Sequence, residues 1–244
     1  MISKYSFITV DKNNFNLNYI KNKERSKNFK EFDDLLEDKK IKSKKLYVLI
    51  EGEEVYIKEL IVPKVKGKKI NNILNNELLY EFNSLEDILY CYKIKNKNKR
   101  NMNILMFCVN IYDKLYVKKI LNNKFNVKGI YLVQFVILNY YMKYIKENKF
   151  KFLLKYKDYI YFIVCDKDKI IYNSVIKEDE KKNILIKKEL LKEEFKMYNK
   201  IYCVFCDTNS LKDVLDEFEV VYLKKSDKNL KKIYKKIIRS KVII

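Results

Sequence analysis

The sequence predicts an α/β protein of two lobes that repeat one plan, the first of them interrupted by a smaller inserted piece. Three observations lead there. Apolar runs of strand length recur from Tyr5 to Leu223, with amphipathic stretches of helical period between them. The order hairpin, further strand, helix, strand, helix occurs twice, once from Tyr5 and again from about Phe150. Apolar residues make up 48% of the 244-residue chain, which is enough for a buried core and too many for a disordered one.

Tyr5–Val10 and Phe15–Ile20 are β-type runs around Asp11–Asn14, a hairpin signal that lacks the favoured turn glycine. Asn28–Asp38 reads as a helix with Phe29, Phe32, Leu35 and Leu36 on one face. Lys45–Ile50 and Val55–Val62 are strands around Glu51–Glu54, and Pro63 ends the second because it cannot donate to a ladder. Lys68–Glu81 is an amphipathic helix striped by Ile70, Ile73, Leu74, Leu78 and Leu79. Ile88–Lys95 and Ile104–Ile111 are strands joined by the polar loop Asn96–Asn101. Tyr112–Asn122 is helical, Lys128–Leu132 a strand that includes Gly129, and Val133–Asn148 a helix apolar on one side. Phe150–Leu154, Tyr159–Asp166 and Ile170–Lys177 are three consecutive strands. Lys182–Tyr198 is a charged helix, Ile201–Cys206 a strand, Ser210–Phe218 a helix and Val220–Leu223 a short strand. The tail Asn229–Ser240 sets Leu230, Ile233, Tyr234, Ile237 and Ile238 on one face, surrounded by Lys231, Lys232, Lys235, Lys236 and Arg239. Such a basic amphipathic helix either lies on anionic lipid or docks on its own core.

Composition narrows the chemistry. The formal net charge is +21, which suits an anionic partner. The plain alternative is coding bias: Lys, Asn, Ile and Tyr are all heavily used, and arginine occurs only at Arg25, Arg100 and Arg239. A nucleic-acid binder would recruit arginine for bidentate contacts. The chain has no histidine, which excludes Ser-His-Asp and Cys-His catalysis. Of the five cysteines only Cys203 and Cys206 are spaced C-x-x-C; on a continuous strand they face opposite ways, so one metal does not take both. No apolar run approaches the roughly 18–20 residues that span a bilayer, and Met1–Tyr5 lacks a signal-peptide core. A cytoplasmic location is the expectation.

Four features between Leu46 and Tyr144 carry a resemblance. They are the strand ending in proline, Val55–Lys64; the helix that follows at once, Ile70–Phe82; the strand Ile88–Ile94; and a strand–helix–strand–helix run through Ile104–Asn110, Val127–Tyr131 and Phe135–Leu138. In order and spacing they resemble the PilM family, the actin-like cytoplasmic proteins of type IV pilus assembly, related to the cytoplasmic domain of GspL in type II secretion. The resemblance implies two actin-like (ribonuclease H-like) lobes with a small α+β subdomain inserted in the first. Residues 1–148 would form the first lobe, with the insert at about 46–103; 149–226 would form a second, trimmed lobe, and 227–244 a basic tail.

An actin-like nucleotide site holds phosphates on two hairpin turns and adenosine on a third, each needing glycine for close backbone approach. At the first turn Asp11 matches the family's acidic residue, but Asn13 stands in place of glycine. The second reads Lys155-Tyr156-Lys157, and the third Asp207–Ser210, both without glycine. No P-loop or G-x-G-x-x-G pattern is present. The expectation is therefore no cofactor, no metal and no enzymatic activity. The resemblance implies a scaffold at the inner face of the cell membrane that clasps the cytoplasmic tail of a PilN-like bitopic protein, with Ile73, Glu77, Phe82 and Tyr131 lining the groove. Lys231, Lys232, Lys235, Lys236 and Arg239 would face an anionic membrane. The alternatives are a nucleic-acid-binding protein that uses its basic surface, and a residual actin-like ATPase.

Overall fold

The structure, a computed structural model, describes residues 5–10, 15–19, 26–27, 45–123, 125–167, 169–179, 181–206 and 211–223. The expected turn at 11–14, helix at 28–38, turn at 207–210 and basic tail beyond 226, with Lys231, Lys232, Lys235, Lys236 and Arg239, lie outside these residues.

The chain opens with strands β1 (Tyr5–Val10), β2 (Phe15–Tyr19), β3 (Ser26–Lys27) and β4 (Lys45–Ile50). β4 reads Lys-Leu-Tyr-Val-Leu-Ile and is buried from Leu46 to Ile50, the continuous apolar run of a strand covered on both faces. It pairs in parallel with β1, while β1 and β2 form an antiparallel hairpin.

After β4 come β5 (Tyr56–Pro63), helix α1 (Lys68–Phe82), β6 (Ile88–Lys97) and β7 (Asn101–Asn110). The three strands form their own antiparallel sheet in the order β5-β7-β6. β7 alternates with period two. Met102, Ile104, Met106 and Cys108 pack with Ile70, Leu74 and Leu78 of α1, while Leu105, Phe107 and Val109 join the main core. The insert is thus tied to the rest of the molecule by β7, buried on both sides, with Ile57 of β5 and Leu89 and Cys91 of β6 packed on the same main core. Asn83, in the left-handed conformation at φ 56°, ends α1 and donates its N–H to Leu79 O at 2.9 Å.

The first sheet is completed through α2 (Leu115–Asn122) and β8 (Asn126–Leu132), giving the order β3-β2-β1-β4-β8. Helix α3 (Val133–Tyr141) follows without a loop, and eight of its nine residues are buried. A helix apolar all round belongs in an interior, and α3 shares a core with residues of both large sheets.

The second sheet comprises β9 (Lys149–Tyr156), β10 (Tyr159–Asp166), β11 (Lys169–Lys177), then α4 (Lys182–Leu190), β12 (Lys200–Val204), α5 (Lys212–Leu215) and β13 (Glu219–Leu223). Its order is β11-β10-β9-β12-β13, with β9–β11 antiparallel and β12 and β13 parallel to β9. The first sheet has the same order and the same pattern of directions. Phe150, Phe152, Tyr161 and Ile163 face the main core, and Leu153, Ile160, Phe162 and Val164 face α4 and α5.

Several expected boundaries change. β4 belongs to the first sheet and β7 runs to Asn110, so the insert begins after residue 50 and ends near residue 110, not at 46 and 103. The continuous hydrophobicity of β4 marks it as a central strand of a parallel pair, which no insert edge would need. The strands flanking Glu51–Glu54 are not partners; they lie in different sheets. The charged helix ends at Leu190 rather than Tyr198, because Phe195 and Tyr198 turn inward to the core through a 3-10 turn at Glu193–Phe195. The apolar helix likewise ends at Tyr141, followed by a 3-10 turn at Met142–Tyr144.

Candidate functional site

In a sheet with parallel strands, ligands bind in the crevice beyond the carboxyl ends, where strand order reverses. Here β1 and β4 end side by side, and Glu51 N donates to Val10 O at 2.9 Å. The next four residues, Glu51-Gly52-Glu53-Glu54, run directly across to the second sheet. Every one of them is tied down.

Glu51 is 0% exposed, and its Oε2 accepts from Lys157 Nζ at 2.6 Å. Lys157 sits in the β9–β10 turn at φ 52°, the turn that would carry the second phosphate contact. Gly52 has φ +73° and stacks so closely on the Tyr159 ring that a Cβ there would lie 2.5 Å from it. Glycine is required on both counts. Its N–H donates to Tyr161 Oη at 2.8 Å. Glu53 pairs through Oε1 with Lys114 Nζ at 2.7 Å, and Lys114 is 1% exposed. The same ammonium lies 3.3 Å from Glu51 O. Gln134, at the start of α3, donates Nε2 to Glu53 O at 2.8 Å and to Asn173 Oδ1 of β11 at 3.2 Å. Glu54 Oε1 accepts from Ser174 Oγ and Val175 N, both at 3.0 Å.

This strap sets three carboxylates just beyond the carboxyl ends of β1 and β4. Glu51 neutralises a lysine of the phosphate turn, and Glu54 bonds to β11. A buried charge persists only when paired; of the three carboxylates only Glu51 is buried, and it is paired with Lys157. The arrangement joins the two large sheets through the protein's own side chains. Among the described residues no cluster of three histidine, cysteine, aspartate or glutamate side chains is placed to hold a metal.

A second feature is open. A groove of about 480 Å³ runs between β6, β11 and α3, with Leu105 and Phe107 of β7, Ile170 of β11 and Leu138 of α3 in its lining. β6 and β11 are each the outer strand of their sheets among the described residues. Lys93, Lys95 and Lys169 stand along it, and Asn139 of α3 is exposed at its edge. Burial pushes the thiol of Cys165, in the same lining, up to about 12.

Of the four residues expected to line a partner groove, Ile73, Glu77 and Phe82 all lie on α1, and Tyr131 lies in β8. Ile73 packs against the core of the insert. Glu77, on the same helix, accepts from Lys58 Nζ at 2.6 Å, and Lys58 also pairs with Glu81. Hydrogen bonds to these two carboxylates raise the Lys58 pKa above the ordinary lysine value. Phe82 meets Tyr56 edge-on at 5.4 Å. Tyr131 lies in β8, 7% exposed, beside Tyr47. None of the four lines the open groove. Sequence reasoning also missed Glu51, Lys114, Gln134 and Asn173; the only signal was three glutamates around a glycine directly after a fully apolar strand.

The C-x-x-C residues differ from expectation as well. Strand β12 stops at Val204, and Phe205 adopts φ 59°. Past that turn the Cys206 thiol donates to Leu153 O at 3.6 Å and to Val204 O at 3.5 Å, and Cys206 packs against the same core that holds Cys203.

No family model matches the chain, and no curated protein matches its sequence. Solved structures do match its fold over nearly the whole length. The cytoplasmic domain of EpsL, an inner-membrane component of the type II secretion system of Vibrio cholerae, superposes with a TM-score of 0.60 at 12% identity, covering 98% of this chain and 96% of that one. The PilM–PilN type IV pilus biogenesis complex gives 0.63 at 8% identity, covering 94% of each. A Bacteroides thetaiotaomicron protein of actin-like ATPase fold and unknown function gives 0.56 at 13% identity, covering 95% and 96%. The fold of the chain is therefore actin-like, as the order of its elements implied.

Proposed function

We propose that this chain is a non-catalytic scaffold of a type IV pilus or related secretion machine, holding the cytoplasmic tail of a PilN-like bitopic protein at the inner face of the cell membrane. The observation that carries the non-catalytic part is the strap: Glu51 is buried against Lys157 in the crevice where a nucleotide's phosphates would sit. The likeness of fold to PilM and to the EpsL cytoplasmic domain supports the machine. In this reading residues up to about 148 form one lobe around the β5–β7 insert, residues 149–226 form the second, and the basic tail from 227 meets anionic lipid.

The open groove is the seat for the partner tail. Its apolar floor takes extended side chains, the outer strands β6 and β11 offer backbone groups to an added strand, and Lys169 suits an acidic residue. The test is a calorimetric titration of the purified protein with a synthetic peptide of the PilN-like tail from the same organism, beside Mg-ATP. Peptide binding that falls at least tenfold in Asn139→Arg, with unchanged melting temperature and silence towards ATP, is the expected result. Micromolar ATP binding would sink the non-catalytic reading. Peptide binding indifferent to Asn139→Arg and Ile170→Glu would remove the tail from this groove.

A further inference from the structure

We propose that the tip of the insert, where the β5–α1 loop meets the β6–β7 turn, docks on an anionic lipid bilayer. The inference goes beyond the scaffold reading and is tested with lipid alone, so either can fail without the other.

Backbone pairing builds the tip. Pro63 at the end of β5 lies opposite Asn101 at the start of β7, and Lys97 at the end of β6 lies opposite Met102. Beyond the ladder, Lys64 N donates to Arg100 O at 2.8 Å, which holds the two connections side by side. Asn98 fixes the turn. Its Oδ1 accepts from Arg100 N at 2.9 Å and from Asn101 N at 2.6 Å, and its own N–H donates to Asn101 O at 2.9 Å.

Both connections are basic. Lys64, Lys66, Lys68 and Lys69 stand on one, Lys97, Lys99 and Arg100 on the other, and all are exposed. Seven of the ten residues at 64–69 and 97–100 are basic, against 53 of 244 in the whole chain, so the patch exceeds what coding bias supplies. Other lysines of the insert are neutralised, Lys58 by Glu77 and Lys95 by Glu59. By contrast, no acidic residue occurs at 60–76 or 88–112, and among the described residues no carboxylate pairs with the seven. The first turn of α1 holds Lys68 and Lys69 and no acidic residue, so the positive end of the helix dipole adds to the same field. Like charges gathered this way repel one another, and an anionic surface relieves the repulsion.

The make-up of the patch favours a bilayer over nucleic acid. All but Arg100 are lysines, which act as point charges, whereas duplex readout relies on arginine. No aromatic residue occurs at 61–69 or 96–101 to stack on the bases of a single strand. Ile61 is 70% exposed, and exposed Pro63 follows two residues on, so apolar surface adjoins the lysines. Clustered lysines attract anionic headgroups, and apolar side chains beside them enter the headgroup boundary.

The test sediments the full-length chain with vesicles of phosphatidylcholine and phosphatidylglycerol, and with phosphatidylcholine alone. Binding to the anionic vesicles only, weakening steeply with salt, is expected. A tip variant carrying Lys66→Gln, Lys69→Gln, Lys97→Gln and Lys99→Gln should bind at least about tenfold more weakly. These side chains are exposed and unpaired, and circular dichroism checks that the variant folds. The chain has no tryptophan, so Ile61→Trp places a single reporter at the tip, and its emission should shift to the blue on the anionic vesicles. A tip variant that binds like the parent, while Lys231→Gln with Lys232→Gln, Lys235→Gln and Lys236→Gln abolishes binding, would give the contact to the tail and overturn the proposal. Unchanged emission from vesicle-bound Ile61→Trp would overturn it too. A parent that ignores the vesicles but binds a DNA duplex through the same lysines would replace the bilayer with nucleic acid.

Discussion

Lys151 shows how a single side chain reports on the packing around it. It lies in β9, 1% exposed, on the face that carries Leu153. Its Nζ donates to Leu190 O at 2.8 Å, at the carboxyl end of α4, and sits 4.8 Å from the centre of the Phe218 ring. Both contacts favour a cation, yet among the described residues no carboxylate pairs with it, and burial lowers its pKa to about 8. An unfolded lysine titrates near 10.4. Between about 8 and 10.4 the unfolded chain therefore holds the extra proton, so stability rises with pH across that window and is lost again as pH falls towards 8. The full span is worth about 3 kcal/mol at 1.36 kcal/mol per pKa unit. Replacing Lys151 with Met removes the buried charge and also a hydrogen bond to Leu190 O worth about 1 kcal/mol. At pH 7 the variant should be more stable than the parent by roughly 1–2 kcal/mol. By pH 9.5 that advantage should shrink. Urea denaturation of both proteins at the two pH values measures it, and a gap that stays constant would mean that Lys151 is not the group titrating.

At the level of elements, the insert depends on α1. Its stripe of Ile70, Leu74 and Leu78 covers the Met102, Ile104, Met106 and Cys108 face of β7, while the opposite face of β7 is held in the main core. Leu74 is 0% exposed. Leu74→Ala should cost about 2–4 kcal/mol through lost transfer energy and an unfilled cavity. The loss should be local: hydrogen exchange should quicken in α1, β5 and β6 and stay slow in β9 and β10. Uniform acceleration would mean that the insert does not open independently. The same elements show what a sequence makes legible. The α1 stripe and the apolar run of β7 are written in neighbouring residues, and both were readable. The end of α4 was not, because Phe195 and Tyr198 leave helical geometry to reach a core assembled by β10 and β11. The turn of the Cys206 thiol onto Leu153 O and Val204 O was hidden behind one backbone angle at Phe205, which carries no local residue signature. The groove was hidden for a different reason: its two walls are outer strands of separate sheets, remote in sequence.

Across the whole molecule, two sheets of identical strand order meet around α3, and the strap joins them. The absence of turn glycines could be read from the sequence, but what fills the crevice could not, since Glu51 and Lys157 are brought together only by the tertiary fold. Their pairing is unequal in a way that can be measured. Glu51 is 1% exposed and Lys157 41% exposed at the side chain. Removing the lysine strands a buried carboxylate, whereas neutralising the carboxylate leaves a lysine free to turn into solvent. Breaking a buried pair from one side costs about 3–5 kcal/mol. Water already reaches Lys157, so Lys157→Met should cost less, about 2–3 kcal/mol. Glu51→Gln keeps the shape and can still accept a hydrogen bond, so it should cost roughly 1 kcal/mol. With the carboxylate already neutral, the lysine matters little, and the double variant should match Glu51→Gln to within about 0.5 kcal/mol. A double-mutant cycle in urea at low and high salt measures the coupling, and the buried oxygen should make it less salt-sensitive than a surface pair. Additive single costs would mean that the strap and the turn act separately. A coupling of the predicted sign would mean that the chain keeps its crevice closed with its own charge, leaving the two sheets fixed relative to each other without a ligand.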